Sequence, residues 1–214
     1  MAVTTATGKP IMTKAQASVR LPRVQRRQQI VGAAAAVFLT SGYEKTSMEE
    51  VARAAGVTRL IVYRIFESKE ALYLAVLSAV LDDIGASFDV GVTPEKLQAR
   101  PLVGRESIAG ILLRIARRHP NGFRLLWRHT SNQAEFSELF SLFKSAATDY
   151  AIALLAAAIP DPTINRWAAE SLVSHLYESI CLWLDRGDAE RDDEFLWMLT
   201  EGVRAMVTVW VRNS

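Results

Sequence analysis

Apolar residues recur along most of this chain at the three- and four-residue spacing of an amphipathic α-helix. Residues 23–41 carry Ile30, Ala34, Val37 and Phe38 on one stripe, and Gly42 stands where the helix should close. Ser47 and Glu50 form a capping-box pair that opens a short helix with Val51, Ala54 and Ala55 on its apolar face. Ala52 is small enough for another helix to cross closely. Gly56 suits the left-handed end of that helix, and Thr58 can cap the next one. Val57 and Val62 are spaced as a hydrophobic staple, with Val62, Ile65 and Phe66 turned inward. Arg59, Leu60, Tyr63 and Arg64 are then left on the outer side. Ser68 caps a longer helix over 69–87, with Leu72, Val76, Leu77, Val80 and Ile84 as its stripe.

Further along, Gly91, Pro94 and Pro101 predict a loop over 88–102. A helix is expected over 103–118, then a short one from Pro120 through Phe123, Leu126 and Trp127. A long helix is expected over 134–159, a turn at Asp161-Pro162, and two final helices over 163–186 and 192–212. In the last helix Leu196, Leu199, Val203, Met206 and Trp210 form a bundle seam. The helix before it is apolar over much of its girth, through Trp167, Leu172, Val173, Leu176, Tyr177, Ile180, Trp183 and Leu184, so it needs cover on more than one side.

Two short helices joined through Gly56 read as a helix-turn-helix, the unit that lays its second helix in the DNA major groove. The run Leu60-Ile61-Val62-Tyr63 is β-branched and aromatic, as a buried strand would be. It is only four residues long, however, and follows a helix cap. An αα-hairpin without DNA affinity is the other alternative.

Charge supports the DNA reading. The chain of 214 residues has net charge +2, but residues 1–75 carry +6 and the remainder −4. No acidic residue precedes Glu44, whereas Lys9, Lys14, Arg20, Arg23, Arg26 and Arg27 do. Only the first third is therefore suited to a polyanion. Residues 1–22 read as a flexible basic arm, 23–75 as the DNA-binding domain, and 76–214 as a second helical domain.

Residues 23–77 resemble the amino-terminal domain of the TetR (tetracycline-repressor-like) regulators. The resemblance rests on Gly42-Tyr43, Thr46, Val51-Ala52, Ala55-Gly56-Val57-Thr58, Tyr63, Phe66, Ser68-Lys69-Glu70 and Leu72. It implies an all-α protein with a helix-turn-helix DNA-binding domain and a helical-bundle ligand-binding and dimerisation domain. It also implies a homodimer on a palindromic operator in double-stranded DNA, usually a repressor that responds to a small-molecule effector. Its last two helices would pair with their twofold mates. By position, Thr46, Tyr63 and Lys69 would touch phosphates, and Thr58 and Arg59 would lie nearest the base edges. Arg27, Ser47, Leu60 and Arg64 complete the expected DNA-facing set. The chain departs from the family pattern at Leu60, Ile61 and Ile65, where small, hydroxyl or imidazole groups are common. Leu60 either meets thymine methyl groups or only packs.

Half of the residues are hydrophobic, ample for a core and too many for disorder along most of the chain. The longest clean apolar run, residues 150–159, is half the length of a membrane helix. The basic start lacks the apolar centre of a secretory signal, and the single Cys181 suits a reducing cytoplasm. No phosphate loop, zincin helix or nucleophile elbow is found. His119, His129 and His175 have no metal-ligand companions at workable spacing, so neither enzyme nor cofactor is expected. The second domain is rich in aromatics. Phe123, Trp127, Phe140, Tyr150 and Tyr177, with Arg114 and His175 as polar groups, are the candidate lining of a largely apolar effector pocket. An activator of the same fold, and a helical scaffold that no longer reads DNA, remain the alternatives.

Deleting residues 1–20 should weaken DNA binding and flatten its salt dependence, by about 0.9 in log–log slope for each phosphate that the arm neutralises. Binding titrations over a salt series check this; an unchanged slope would refute the arm.

Overall fold

The structure, a computed structural model, describes residues 22–88, 104–130 and 133–212, and no strand occurs among them. The expected arm and the 88–102 loop fall almost wholly outside the described residues. The amino-terminal domain consists of α1 (Arg23–Ser41), α2 (Met48–Ala54), α3 (Arg59–Ile65) and the first half of α4 (Lys69–Ser87). Ile30, Ala34 and Phe38 of α1 bury against Val51 and Ala52 of α2, Val62 of α3 and Leu72 of α4. Gly42 ends α1 at φ 79° and ψ 161°, a region essentially confined to glycine and distinct from the left-handed cap the sequence suggests. Ala54 proves exposed: the inward face of α2 is centred one position over, on Val51, Ala52 and Ala55.

The second domain contains α5 (Ile108–Arg118) and α6 (Pro120–Arg124), which continues as a π-helical turn over Leu125–His129. A 3-10 turn, Ala134–Phe136, leads into α7 (Ser137–Leu155), followed by α8 (Pro162–Arg186), a 3-10 turn at Ala189–Arg191 and α9 (Asp192–Arg212). Several sequence-based bounds shift for local reasons. α5 starts at Ile108 because the Ser107 hydroxyl accepts the Gly110 N–H. α7 stops at Leu155, four residues before its expected end. Asp161-Pro162 is a helix start, the Asp161 carboxylate capping the Thr163 and Ile164 N–H groups.

The broadly apolar α8 packs against α7, α5, α6 and α9. Trp167 and Leu182 of α8 and Trp197, Met198, Val209 and Val211 of α9 remain exposed. Along the α9 seam Leu196 and Leu199 are buried, whereas Val203, Met206 and Trp210 are half-buried. Trp167 and Trp210 meet edge to face at 5.1 Å. Where α8 turns into α9, Trp183 stacks on Phe195 at 4.7 Å and donates its indole N–H to Asp192 at 2.7 Å. A Cβ on Gly187 would lie 2.2 Å from that indole, so the corner accepts only glycine without moving the ring.

No core boundary falls at residues 75–76: Ala75 and Val76 are both buried within α4, and one apolar core runs through both domains. The joint is aromatic. Tyr73 lies 5.0 Å from Phe38, 5.1 Å from Tyr43 and 4.5 Å from Phe136. Phe136 belongs to this joint as well, edge-on to Tyr43 at 5.0 Å. Beside it the Thr130 hydroxyl donates to the Leu125 carbonyl at 2.9 Å, which leaves the Tyr73 hydroxyl to donate to Thr130 at 3.4 Å. Replacing Phe136 by Ala should destabilise the protein by about 3–5 kcal/mol. Denaturant unfolding checks this, and a cost typical of a surface site would show that the joint is not a core.

Candidate nucleic-acid interface

The helix-turn-helix is built from local hydrogen bonds. At the start of α2 the Ser47 hydroxyl accepts the Glu50 N–H at 3.2 Å, and the Glu50 carboxylate accepts the Ser47 N–H at 2.8 Å. These contacts hold the Glu50 carboxyl below its ordinary range, the Ser47 backbone N–H contributing most. At the end of α2 the Val57 N–H reaches Ala52 and the Gly56 N–H reaches Arg53, with Gly56 at φ 62°. This paired closure is a Schellman motif and fixes the exit angle of the chain. α3 then starts with the Thr58 hydroxyl accepting the Ile61 N–H at 3.4 Å.

Sterics decide which side chains of α3 look outward. Val62 and Phe66 are buried, and Ile61 and Ile65 are half-buried against the core. Arg59, Leu60, Tyr63 and Arg64 are exposed. They form two adjacent i,i+4 rows, Arg59 with Tyr63 and Leu60 with Arg64. The Arg59 guanidinium lies 5.2 Å from the Tyr63 ring centre, and a hydrogen bond to Tyr63 raises its pKa. Arg27, exposed on α1, sits 5.2 Å over the Phe66 ring. The Thr58 hydroxyl accepts in its cap, so its own proton remains for a partner.

Three residues of the expected DNA-facing set, Thr46, Ser47 and Lys69, have donors already engaged within the fold. Thr46 is buried and its hydroxyl donates to the Gly42 carbonyl at 2.7 Å. Ser47 donates its hydroxyl proton to the Glu50 carboxylate at 3.1 Å, and that anion would also repel a phosphate. Lys69 reaches back over the Tyr43 ring at 4.4 Å and donates to the carbonyls of Tyr43 at 2.9 Å and Glu44 at 3.2 Å. It clamps the α1–α2 turn and keeps one N–H of three. Burial first, then the carboxylate of Glu135, pushes the Tyr43 hydroxyl up far enough to remain protonated.

Of the expected effector-site residues, Phe123, Trp127, Phe140 and Tyr177 do converge. Tyr177 stacks on Phe123 at 5.5 Å and on Trp127 at 5.0 Å, and Trp127 meets Phe140 at 6.2 Å. Phe143, edge-on to Tyr177 at 5.4 Å, completes the cluster. Tyr150 packs on Phe88 at the end of α4, 5.5 Å away. Arg114 and His175 are exposed. Arg114 pairs with Glu106 at 3.5 Å on the rim of a separate open cleft of about 210 Å³, lined also by Arg105, Leu113, Arg117 and Asp192. Neither is an orienting group for the aromatic cluster.

The polar groups actually beside that cluster are ones that sequence reasoning missed. Trp127 donates its indole N–H to Glu178 at 3.1 Å; Arg128 bridges Glu178 and Asp185, and Arg124 also holds Asp185, each at 2.6 Å. The Asp185 carboxyl is partly desolvated, but the two arginines keep it below its usual range. The signal was available: Arg124 and Arg128 are one helical turn apart, and Glu178 and Asp185 two. Cys181 is fully buried, and desolvation pushes its thiol up to about 12, so it is a core group without thiolate character.

With this geometry in view, residues 30–76 match the family of bacterial regulatory proteins, tetR family. Over these residues, α1 into α4, the chain is similar to that family's amino-terminal domain. The HTH-type transcriptional activator FasR of Mycolicibacterium smegmatis is 46% identical over 65 residues, 30% of either chain. The HTH-type transcriptional regulator RutR of Escherichia coli is 31% identical over 103 residues, 47% of this chain and 45% of that one. The chain thus matches under half the length of either curated relative. A TetR-like transcriptional regulator from Rhodococcus sp. RHA1 shares the fold nearly throughout. Its TM-score is 0.66 at 23% identity, over 88% of this chain and 99% of that one. The described residues thus share an all-α architecture with that structure, a helix-turn-helix followed by a helical bundle.

The donor accounting predicts a division of roles. Lys69→Met should lower stability by about 1–3 kcal/mol, because two carbonyls lose a charged partner. Arg59→Ala should leave stability within about 0.5 kcal/mol and abolish DNA binding. Thermal unfolding and DNA titration of both variants separate the two; equal stability losses would contradict the assignment.

Proposed function

We propose that this TetR-family protein is a sequence-specific, DNA-binding transcriptional regulator: a homodimeric repressor released from its operator by a small, largely apolar effector. The reading is carried by one observation. A helix capped at its start and anchored by buried Val62 presents Arg59, Leu60, Tyr63 and Arg64 together to solvent. Arg59 supplies the fork that guanine O6 and N7 accept, while Tyr63, Arg64, Thr58 and Arg27 supply donors for phosphates and base edges. The partner is double-stranded DNA, and the place of action is the cytoplasm.

The dimer rests on the outer face of α8 and α9. Trp167 and Leu182 of α8 and Trp197 and Met198 of α9 are exposed, the two tryptophans by 53% and 59%. Tryptophans with apolar neighbours on an open face favour a partner surface, and a second copy gives the twofold symmetry of a palindromic operator. We assign the effector to the Phe123–Trp127–Phe140–Tyr177 cluster, where Glu178 and Arg128 are the polar groups at hand. Binding there lowers DNA affinity only by as much as the effector prefers the non-binding conformation. The similarity to FasR, named as an activator, favours activation as the second reading. That similarity spans the DNA-reading domain, however, and the sign of regulation depends on where the operator lies.

Selection of bound sequences from random DNA tests the core of this reading. An inverted repeat should emerge, with half-sites about one helical turn or a multiple apart, and Arg59→Ala should enrich nothing. A pool that remains random with the intact protein would end the DNA-binding reading. Sedimentation of the same preparation should show a dimer at micromolar concentration.

A further inference from the structure

Leu60 is an apolar side chain left in solvent on the same face of α3 as Arg59, Tyr63 and Arg64. It is 61% exposed and does not belong to the apolar side chains packed against the core, whereas its helix neighbours Ile61 and Ile65 do. The alternative left open by the sequence, that Leu60 only packs, does not hold within this chain. Nor does Leu60 stabilise the helix start, which Thr58 secures. Its row on α3 continues with exposed Arg64, and the parallel row is Arg59 stacked on Tyr63. An apolar group is therefore set among the donors of a surface built to meet base edges.

Base edges in the major groove offer oxygen and nitrogen acceptors, amino donors and one apolar feature, the 5-methyl group of thymine. A side chain without donors gains nothing from the others and leaves their polar atoms unpaired. We infer that Leu60 is a specificity-determining residue that selects thymine in each half-site by burying its 5-methyl group. The inference rests on the DNA-binding reading above and adds what that reading lacks, a base preference at a named residue. One methyl group removed from water corresponds to about a fourfold change in affinity. Because Leu60 already lies in solvent, its replacement leaves the fold intact.

The test uses the full-length protein and the duplex recovered by selection from random DNA. Each thymine of a half-site is replaced in turn by uracil, which lacks only the methyl group, and both duplexes are titrated with the intact protein and with Leu60→Ala. At one thymine the intact protein should lose about fourfold in affinity, and Leu60→Ala should lose nothing further there. The pair then forms a double-mutant cycle with a coupling of that size. The proposal is overturned if no thymine shows a methyl effect that depends on Leu60, including the case where Leu60→Ala weakens both duplexes equally. If selection recovers no duplex, the DNA-binding reading fails first, and this one with it. The two failures are therefore distinguishable.

Discussion

Burial of Tyr73 ties the helix-turn-helix to the helices that follow it. Its ring is closed in by Phe38 from α1, Tyr43 from the turn after it, and Phe136 from the second domain. A phenol in such a place must find a hydrogen-bond partner, and Thr130 at the end of the π-helical turn provides it. One side chain of α4 thereby links the reading domain to the segment that carries Trp127. Burial raises the Tyr73 pKa, so the hydroxyl remains a neutral donor and the joint has no charge to expose. The reading head is accordingly a continuation of the bundle rather than a tethered module.

The same economy of polar groups shapes the outer surface of the helix-turn-helix. A helix-turn-helix this short has little core of its own, and its turns are held by Thr46, Ser47 and Lys69, each with its donors turned onto backbone or onto Glu50. What remains exposed is what the caps do not need: Arg59, Leu60, Tyr63 and Arg64 of α3, and Arg27 on its aromatic support. Structural and recognition roles are divided by hydrogen-bond accounting, not by residue type. Lys69 is a clamp on the α1–α2 turn, and Leu60 on α3 is left in solvent.

The carboxy-terminal domain shows the converse arrangement. Its aromatic cluster is flanked by an ion-pair network of Arg124, Arg128, Glu178 and Asp185 that ties the π-helical turn to α8. The turn whose far end binds Tyr73 is thus also the turn whose Trp127 lies in the cluster. A ligand that displaced Trp127 would act on a segment already bonded to the DNA-reading half. The physical route between the two ends is short and passes through hydrogen bonds and packed rings, not through a mobile linker.

Local structure was legible along the chain: the capping box of Ser47 and Glu50, the glycine-closed turn, the bounds of α1, α4 and α9, and the outward set Arg59, Leu60, Tyr63 and Arg64. These follow from interactions within a few residues, where spacing and side-chain chemistry leave little choice. Only the tertiary structure decided the rest. It placed Phe136 in the joint, turned Lys69 onto carbonyls 25 and 26 residues away in sequence, and left Arg114 and His175 in solvent. It also brought Glu178 and Asp185 to the arginines of α6 and the π-helical turn. Those outcomes depend on which surfaces meet in space and on which donors find acceptors there. No periodicity along the chain encodes either one.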